Sequence, residues 1–449
     1  MNKYIFILGM TAMALFAACS TDEGLDAEEM ARLEKEREAA ILAEAISDSE
    51  IPITIGTGTH SNYNVTRAPL NPDANGLFAT ETGKYLGVFC LAVGKQTGAP
   101  TTISALSSID WTITSEYKDL IVKMRNVPAR VTNMGTYSDV TFLNETALGN
   151  GTETAETWFY PMNDWVQYNF YAYYPRQNET EGGNTTLQIS ANQVLEKYYE
   201  IDGSQDIIWA MASSTDQTFT DALPYCAKYF RKKKAQIEAL TDPSSDNIAN
   251  YYPKFNFEHK LSQFVFNVKA ASADDAAVLF AKNLKIKRVY IDKVLYRLSL
   301  TVAQKSDPSK NGLLKMMGSN AQYKAFDIRL ADSDKKRFDQ DGDDDLDNPL
   351  MISESAADID QKTMGYLMVP PSDIMTAANS ADYKLIVEVE YDKDGGKTTE
   401  QLQYFLTPPN AGFEAGYKYN VNLTFYAPSE IHALATLDDW TEGQDINLE

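Results

Sequence analysis

Apolar residues recur at every second position in several short runs of this chain, the pattern of strands with one buried face. The cleanest run is Tyr417, Tyr419, Val421, Leu423 and Phe425, opposed by Lys418, Asn420, Asn422 and Thr424. Leu385, Val387, Val389 and Tyr391 alternate in the same way with Ile386, Glu388, Glu390 and Asp392. Val166, Tyr168, Phe170 and Ala172 share a face within residues 165–176, and residues 158–161 form a shorter strand before them. Pro161 and Pro175 close these two strands, because proline cannot donate to a ladder. Residues 85–93 are apolar almost throughout, which predicts a central strand. Residues 110–114, 255–259, 284–287, 289–292 and 366–371 read as further strands, and residues 431–437 with Trp440 as the last one. The basic run at 228–234 reads as a solvated face, and the polar residues 235–252 as the linker between two halves.

One stretch, residues 51–68, combines a strand pattern with an unusual position. Ile51, Ile53 and Ile55 alternate with Pro52, Thr54 and Gly56, so three β-branched side chains share a face. A turn-rich run then leads to Arg67-Ala68. Two readings are open. One is an ordinary edge strand followed by a solvated arginine. The other is a placeholder that fills a groove in a precursor and leaves it when the chain is cut after Arg67.

What precedes the stretch bears on that choice. Residues 1–18 read as a secretory signal, with Lys3 before a 13-residue apolar run, Tyr4 to Phe16, too short for a good membrane span. Small residues lead to Cys19, as in a bacterial lipobox, with Phe16 where an aliphatic is usual. Cys19 is the candidate lipidated residue; plain secretion with cleavage nearby is the alternative. Residues 23–50 read largely as a polar helix, with Asp26 and Glu29 in capping-box spacing. The order is therefore signal, lipid, helical spacer, strand, Arg-Ala. A cut at Arg67 would release the anchor and open a sheet edge together, and an unpaired edge recruits another strand.

Composition sets the class. The chain has 449 residues, rich in Tyr (26) and Phe (19), long enough for several cores and leaning to β structure. A net charge of −23 argues against nucleic acid as a partner. Of the three cysteines, Cys90 and Cys226 remain after Cys19 and stand either as a disulfide or as two buried thiols.

The ordered motifs carry a resemblance. YNFYAYYP at 168–175, SQDIIWA at 204–210 and FNFEHKLSQFVF at 255–266 follow NVTRA at 64–68 and precede GYKYNVNL at 416–423 and Asp439-Trp440. This set resembles the fimbrillin family, the type V pilus subunits of Bacteroidales, over essentially the whole chain. The resemblance implies an all-β protein of two tandem transthyretin-like β-sandwich domains behind a helical pro-segment. The segments are then a signal at 1–18, a pro-segment at 19–67 and domains at 68–235 and 250–449. It also implies a lipid-anchored precursor at the outer membrane and an Arg-specific protease acting at Arg67-Ala68. Assembly into an extracellular fimbria follows by strand exchange with other fimbrial subunits, through a C-terminal strand, in a shaft or in a minor, adhesive tip position.

Two features stand apart. Asp339, Asp341, Asp343, Asp345 and Asp347 place carboxylates at alternate positions around Gly342. Calcium takes six to eight such oxygens, so the run is either a candidate calcium loop or an unliganded acidic loop; no cofactor is required otherwise. His60, His259 and His432 are scattered, and no Walker, dinucleotide, HExxH, CxxC or GxSxG pattern is present, so no enzyme is read. The runner-up function is a surface lipoprotein that binds glycan through its aromatics and does not polymerise; a third is a hydrolase with unrecognised carboxylates.

Overall fold

The computed structural model describes residues 48–57, 85–95, 109–112, 118–132, 138–148, 153–161, 166–177, 193–212, 225–318, 321–330, 335–338, 349–377, 383–408, 412–427 and 430–438. Near the N-terminus it also describes Glu29, Arg32, Leu33 and Glu36, all helical, with Arg32 paired to both glutamates at 3.7 and 3.8 Å.

The first half supplies β1 (Asp48–Pro52), β2 (Gly56–Thr57) and β3 (Leu86–Lys95), then a single helical turn, α1 (Lys118–Ile121). It continues with β4 (Val122–Thr132), β5 (Ser138–Phe142), β6 (Phe159–Pro161), β7 (Val166–Tyr174), β8 (Val194–Glu200) and β9 (Ile208–Ala212). Helix α2 (Ala227–Glu238) and the short strands β10 (Lys254–Phe255) and β11 (Glu258–His259) follow. An eight-stranded sheet runs β10-β2-β5-β4-β3-β7-β9-β11, and β1 pairs separately with β6. The two end strands, β10 and β11, are separated in the chain only by Asn256 and Phe257. Two residues of chain therefore link the two ends of this open sheet, and β2 lies next to the end strand β10.

Residues 85–92 are buried without a break, and β3 lies between β4 and β7, as the apolar run predicts. β7 buries Val166, Tyr168, Phe170 and Ala172, but also Tyr171, Tyr173 and Tyr174. The alternation pointed to one covered face; β7 has two, because it is central in the sheet and β14, described below, also lies against it. Asp110 and Thr112 are not in a strand. The Asp110 carboxylate accepts from the Thr112 backbone N–H (2.9 Å) and hydroxyl (2.7 Å), the local bonding that makes Asp a turn former. The basic run is helical: α2 buries Tyr229, Phe230 and Lys233 along one side, and the Lys233 ammonium lies 4.0 Å from the centre of the Tyr251 ring.

The second half begins with β12 (Ser262–Ala270), α3 (Ala273–Ala281), β13 (Lys285–Leu295) and β14 (Arg297–Gln304). It goes on through β15 (Leu314–Met316), β16 (Tyr323–Asp327), β17 (Leu350–Met351), β18 (Lys362–Val369) and α4 (Ser372–Ala377). It ends with β19 (Tyr383–Lys393), β20 (Gly396–Leu406), β21 (Lys418–Ala427) and β22 (Glu430–Asp438). A sheet ordered β18-β12-β21-β22 faces one ordered β16-β13-β19-β20, with β17 on β13. Phe264 of β12 meets Tyr383 of β19 edge-on across the sandwich at 5.2 Å. Tyr419, Val421, Leu423 and Phe425 of β21 are all buried, as their period-two pattern predicts. The fold is thus mainly β, built of layered sheets.

The halves are joined by backbone pairing. β8, from the first half, pairs antiparallel with β14, from the second. The segment 202–209 then makes one cross-link after another. Asp202 accepts from Arg329 (2.9 Å), the Gly203 carbonyl from Met368 N–H (2.8 Å), and the Ile207 carbonyl from Lys260 N–H (2.8 Å). Buried Asp206 binds His259, which settles that histidine as a packed, hydrogen-bonded side chain. Trp209 donates its indole N–H to the Val302 carbonyl at 2.9 Å.

Gly312 tests this seam. Its φ is +74°, and a Cβ there would stand 2.5 Å from Cε3 of Trp209. Gly312→Ala is expected to cost about 2–4 kcal/mol, overpacking plus a strained backbone. Gly395→Ala, at φ +79° with nothing within 4 Å, should cost only about 1 kcal/mol. Urea unfolding of the two variants checks the difference.

Candidate pro-strand site

The stretch Ile51–Thr57 is built into the first half on both of its edges. β1 runs antiparallel to β6, with Pro52 opposite Phe159. Ile53 N–H donates to the Trp158 carbonyl at 2.7 Å. Two residues on, the Ile55 carbonyl accepts from Val140 N–H of β5 at 2.9 Å, and Gly56 N–H donates to the Pro253 carbonyl at 2.9 Å. β2 then pairs antiparallel with β5 (Gly56 with Asp139, Thr57 with Ser138) and parallel with β10 (Gly56 with Lys254, Thr57 with Phe255). The strand therefore lies between two others. Without it, β5 and β10 would be two unpaired edges facing each other across about 10 Å, two strand spacings. Such a slot takes one strand and no more.

The side chains follow the alternation. Ile55 is fully buried, Ile53 is 4% exposed, and half-buried Ile51 packs against the same core. Each fully buried isoleucine contributes about 1.5–3 kcal/mol by leaving water. Helix α2 lies against β1. The neighbouring core is aromatic: Tyr160 of β6 packs against Phe170 at 6.2 Å and Phe230 at 5.3 Å, and Tyr225 stacks on Phe230 at 6.3 Å. The Tyr160 hydroxyl is buried with no hydrogen-bond partner among the described residues. Burial pushes its pKa well above the usual tyrosine value, with Cys90 adding to the effect. Cys90 and Cys226 are both buried and both remain thiols, so the choice left open by the sequence falls on the thiol side. Burial pushes the Cys90 thiol up as well.

Of the residues picked from the sequence, the structure brings Ile51, Ile53 and Ile55 together. Cys19, Arg67, Ala68 and the five aspartates Asp339, Asp341, Asp343, Asp345 and Asp347 lie outside the described residues. Among the described residues, no group of His, Cys, Asp or Glu is placed to hold a metal ion. Of the aromatics at 158–176 that a sugar platform would need, Tyr160, Tyr168, Phe170, Tyr171, Tyr173 and Tyr174 are in the core, Trp158 and Phe159 are half-buried, and Trp165 lies outside the described residues. The last strand, β22, is paired in its own sheet, antiparallel to β21 from Glu430 opposite Ala427 to Asp438 opposite Lys418. Sequence reading missed the walls of the slot. Val140 and Phe142 do alternate as buried residues in β5, but Pro253 carries no signal of its role, since it acts through its carbonyl.

A family profile described as fimbrillin-like matches residues 114–440. The chain belongs to the fimbrillin-like family. This fimbrillin-like protein is accordingly a structural, non-enzymatic subunit of a cell-surface fimbria. A search of curated proteins finds no match. Among solved structures, it is similar to a candidate cell adhesion protein from Bacteroides uniformis, with 14% identity, 87% of this chain and 99% of that one covered, and a TM-score of 0.39. A counterpart from Bacteroides fragilis has 11% identity, coverage of 89% and 100%, and a TM-score of 0.34. The fimbrial anchor protein Mfa2 from Porphyromonas gingivalis has 10% identity, coverage of 87% and 98%, and a TM-score of 0.28.

The slot predicts a graded series. In the uncut chain, Ile53→Ala and Ile55→Ala should each cost about 2–5 kcal/mol, and Ile51→Ala less. Chemical unfolding of the three variants measures this. A neutral Ile55→Ala would mean that the strand is not part of the folded core.

Proposed function

We propose that this protein is a fimbrial subunit made as a lipoprotein precursor and activated by loss of its own strand. Cys19 carries the lipid and holds the precursor at the outer membrane. An Arg-specific protease cuts between Arg67 and Ala68. The segment ahead of the cut, including Ile51, Ile53 and Ile55, then leaves. The slot between β5 and β10 receives a strand from the C-terminal region of another subunit, and repetition builds the fimbria. The observation that carries this reading is the burial of Ile53 and Ile55 between β1 and β2, bonded to Trp158 and Val140, with Gly56 and Thr57 after them paired on both edges. A strand that merely trailed from an anchor would need neither. Removing it costs the fold backbone partners on β5, β6 and β10 at once, and buried polar backbone groups demand replacement partners.

The burial of most of the aromatic run counts against the glycan-binding alternative, which has no exposed platform among the described residues of that run. Adhesion at a fimbrial tip remains part of the proposal only through the family.

The mature surface protein should begin at Ala68 on N-terminal sequencing. Arg67→Ala should leave a membrane-bound monomer. Arg67→Ala protein that still enters detergent-resistant polymers would overturn the proposal.

A further inference from the structure

The second half keeps one long sheet edge open. β20 ends the sheet ordered β16-β13-β19-β20, and among the described residues its one ladder is with β19. That ladder starts at a tight hairpin. Lys393 and Gly396 face each other across Asp394-Gly395, and the register runs unbroken to Tyr383 opposite Leu406. In a two-residue hairpin the flanking pair exchanges both backbone bonds, and such pairs recur at every second residue. Gly396, Thr398, Glu400, Leu402, Tyr404 and Leu406 therefore bond to β19. Lys397, Thr399, Gln401, Gln403 and Phe405 turn their N–H and C=O groups away from it. Among the described residues those outward groups meet no backbone partner.

β20 lacks the usual protection of an edge. Exposed edges are commonly short, bulged, broken by proline or lined with lysine. β20 has 11 residues, no proline, no register shift and a single lysine near its start. Other sheet ends in this half show the contrast. On β18, Tyr366 is bonded both ways to Arg329, and Met368 N–H donates to the Gly203 carbonyl at 2.8 Å. β16 has only 5 residues. The side chains of β20 are also incompletely covered. Phe405 is 65% exposed, and Leu402 and Tyr404 are half-buried although Val387 and Leu385 opposite them are fully buried.

The edge complements itself. Two antiparallel copies of β20, related by a two-fold axis at Gln401, place Gln401 opposite its own counterpart, Thr399 opposite Gln403 and Lys397 opposite Phe405. All five outward residues then find partners. Moving the axis to Thr399 or to Gln403 leaves two of them beyond the other strand. In the full register the Lys397 ammonium meets the Phe405 ring of the other copy, a pairing the chain already makes between Lys233 and Tyr251 at 4.0 Å. On the core side, Leu402 and Tyr404 gain cover from Glu400 and Thr398 of the other copy. The Glu400 carboxylate is already engaged by the Tyr391 hydroxyl at 2.6 Å. Because the same patch serves both copies, the contact closes on itself and builds dimers, not fibres.

We infer that β20 is a lateral contact, through which two copies of this chain join edge to edge over Lys397–Phe405 into one continuous sheet. The contact lies in the second half, needs no cleavage at Arg67 and sets subunits side by side, so it goes beyond the strand exchange proposed above.

The test uses the full uncut chain, in which residues 51–57 keep their own place and strand exchange contributes nothing. Sedimentation velocity over a concentration series should show a reversible dimer. High salt is used to screen the repulsion between two chains of net charge −23. Gln401→Pro removes an outward N–H and no bond to β19, so it should melt as the parent does and stay monomeric where the parent dimerises. The triple variant Thr399→Lys, Gln401→Lys, Gln403→Lys sets three like-charge pairs across the axis and should dimerise about tenfold more weakly. The triple variant Thr399→Glu, Gln401→Glu, Gln403→Glu should do the same, and an equimolar mixture of the two should recover the dimer. A parent that stays monomeric throughout, a Gln401→Pro protein that dimerises as the parent does, or a mixture no more dimeric than its components would each overturn the inference and leave strand exchange untouched.

Discussion

A sheet cannot leave a strand's worth of backbone unpaired inside a protein, and the first half of this molecule depends on that constraint. β2 sits between β5 and β10, and the sheet it completes has its two ends tied together by Asn256 and Phe257. The covalent chain between β10 and β11 cannot relax to close the gap left by β2, because β11 is held on β9. Removing residues 51–57 therefore does not shorten the sheet by one edge strand. It opens an internal slot with backbone groups on two sides and an apolar floor. An ordinary edge strand, when lost, leaves a single edge that water can satisfy. An internal slot also exposes core, and the two penalties together favour recapture of a strand.

The second constraint is the seam. Its bonds run from Asp202 to Trp209, and their partners are Arg329, Met368 and Val302 in the second half and His259 and Lys260 where the chain leaves β11 for β12. The motifs that first suggested the family, SQDIIWA and FNFEHKLSQF, supply half of the residues in these bonds. Their residues are explained by how two sheets are fastened, with no chemistry required. In the proposed strand exchange, fixing the halves to each other would let the geometry of each junction set that of the next.

Legibility followed the range of the interactions. β3, β7, β19 and β21 were readable because alternation or continuous apolarity is written in the strand itself. β20 was missed although Asp394-Gly395, at φ +51° and +79°, announces a tight hairpin from β19. Residues 110–112 were misread because β-rich letters hid the Asp110 side chain's local bond to Thr112. The basic run was misread because its lysines obscured Tyr229, Phe230 and Lys233, which stand at helical spacing. The candidate site was half legible. Ile51, Ile53 and Ile55 declared a buried face, but the walls came from Val140 and Pro253, whose contribution is a backbone amide and a carbonyl. Such partners carry no residue-type signal, and only the fold brings them to the strand.

The central claim is that residues 51–57, from the end of β1 through β2, fill a place in the first half that stands vacant when they depart. Val140 N–H is bonded to the Ile55 carbonyl, so its hydrogen exchange reports occupancy directly. In the uncut chain this amide should exchange slowly. After cleavage at Arg67 and removal of the pro-segment it should exchange orders of magnitude faster, and added peptide 48–57 should restore its protection. Equal protection of Val140 before and after removal of the pro-segment would contradict the account.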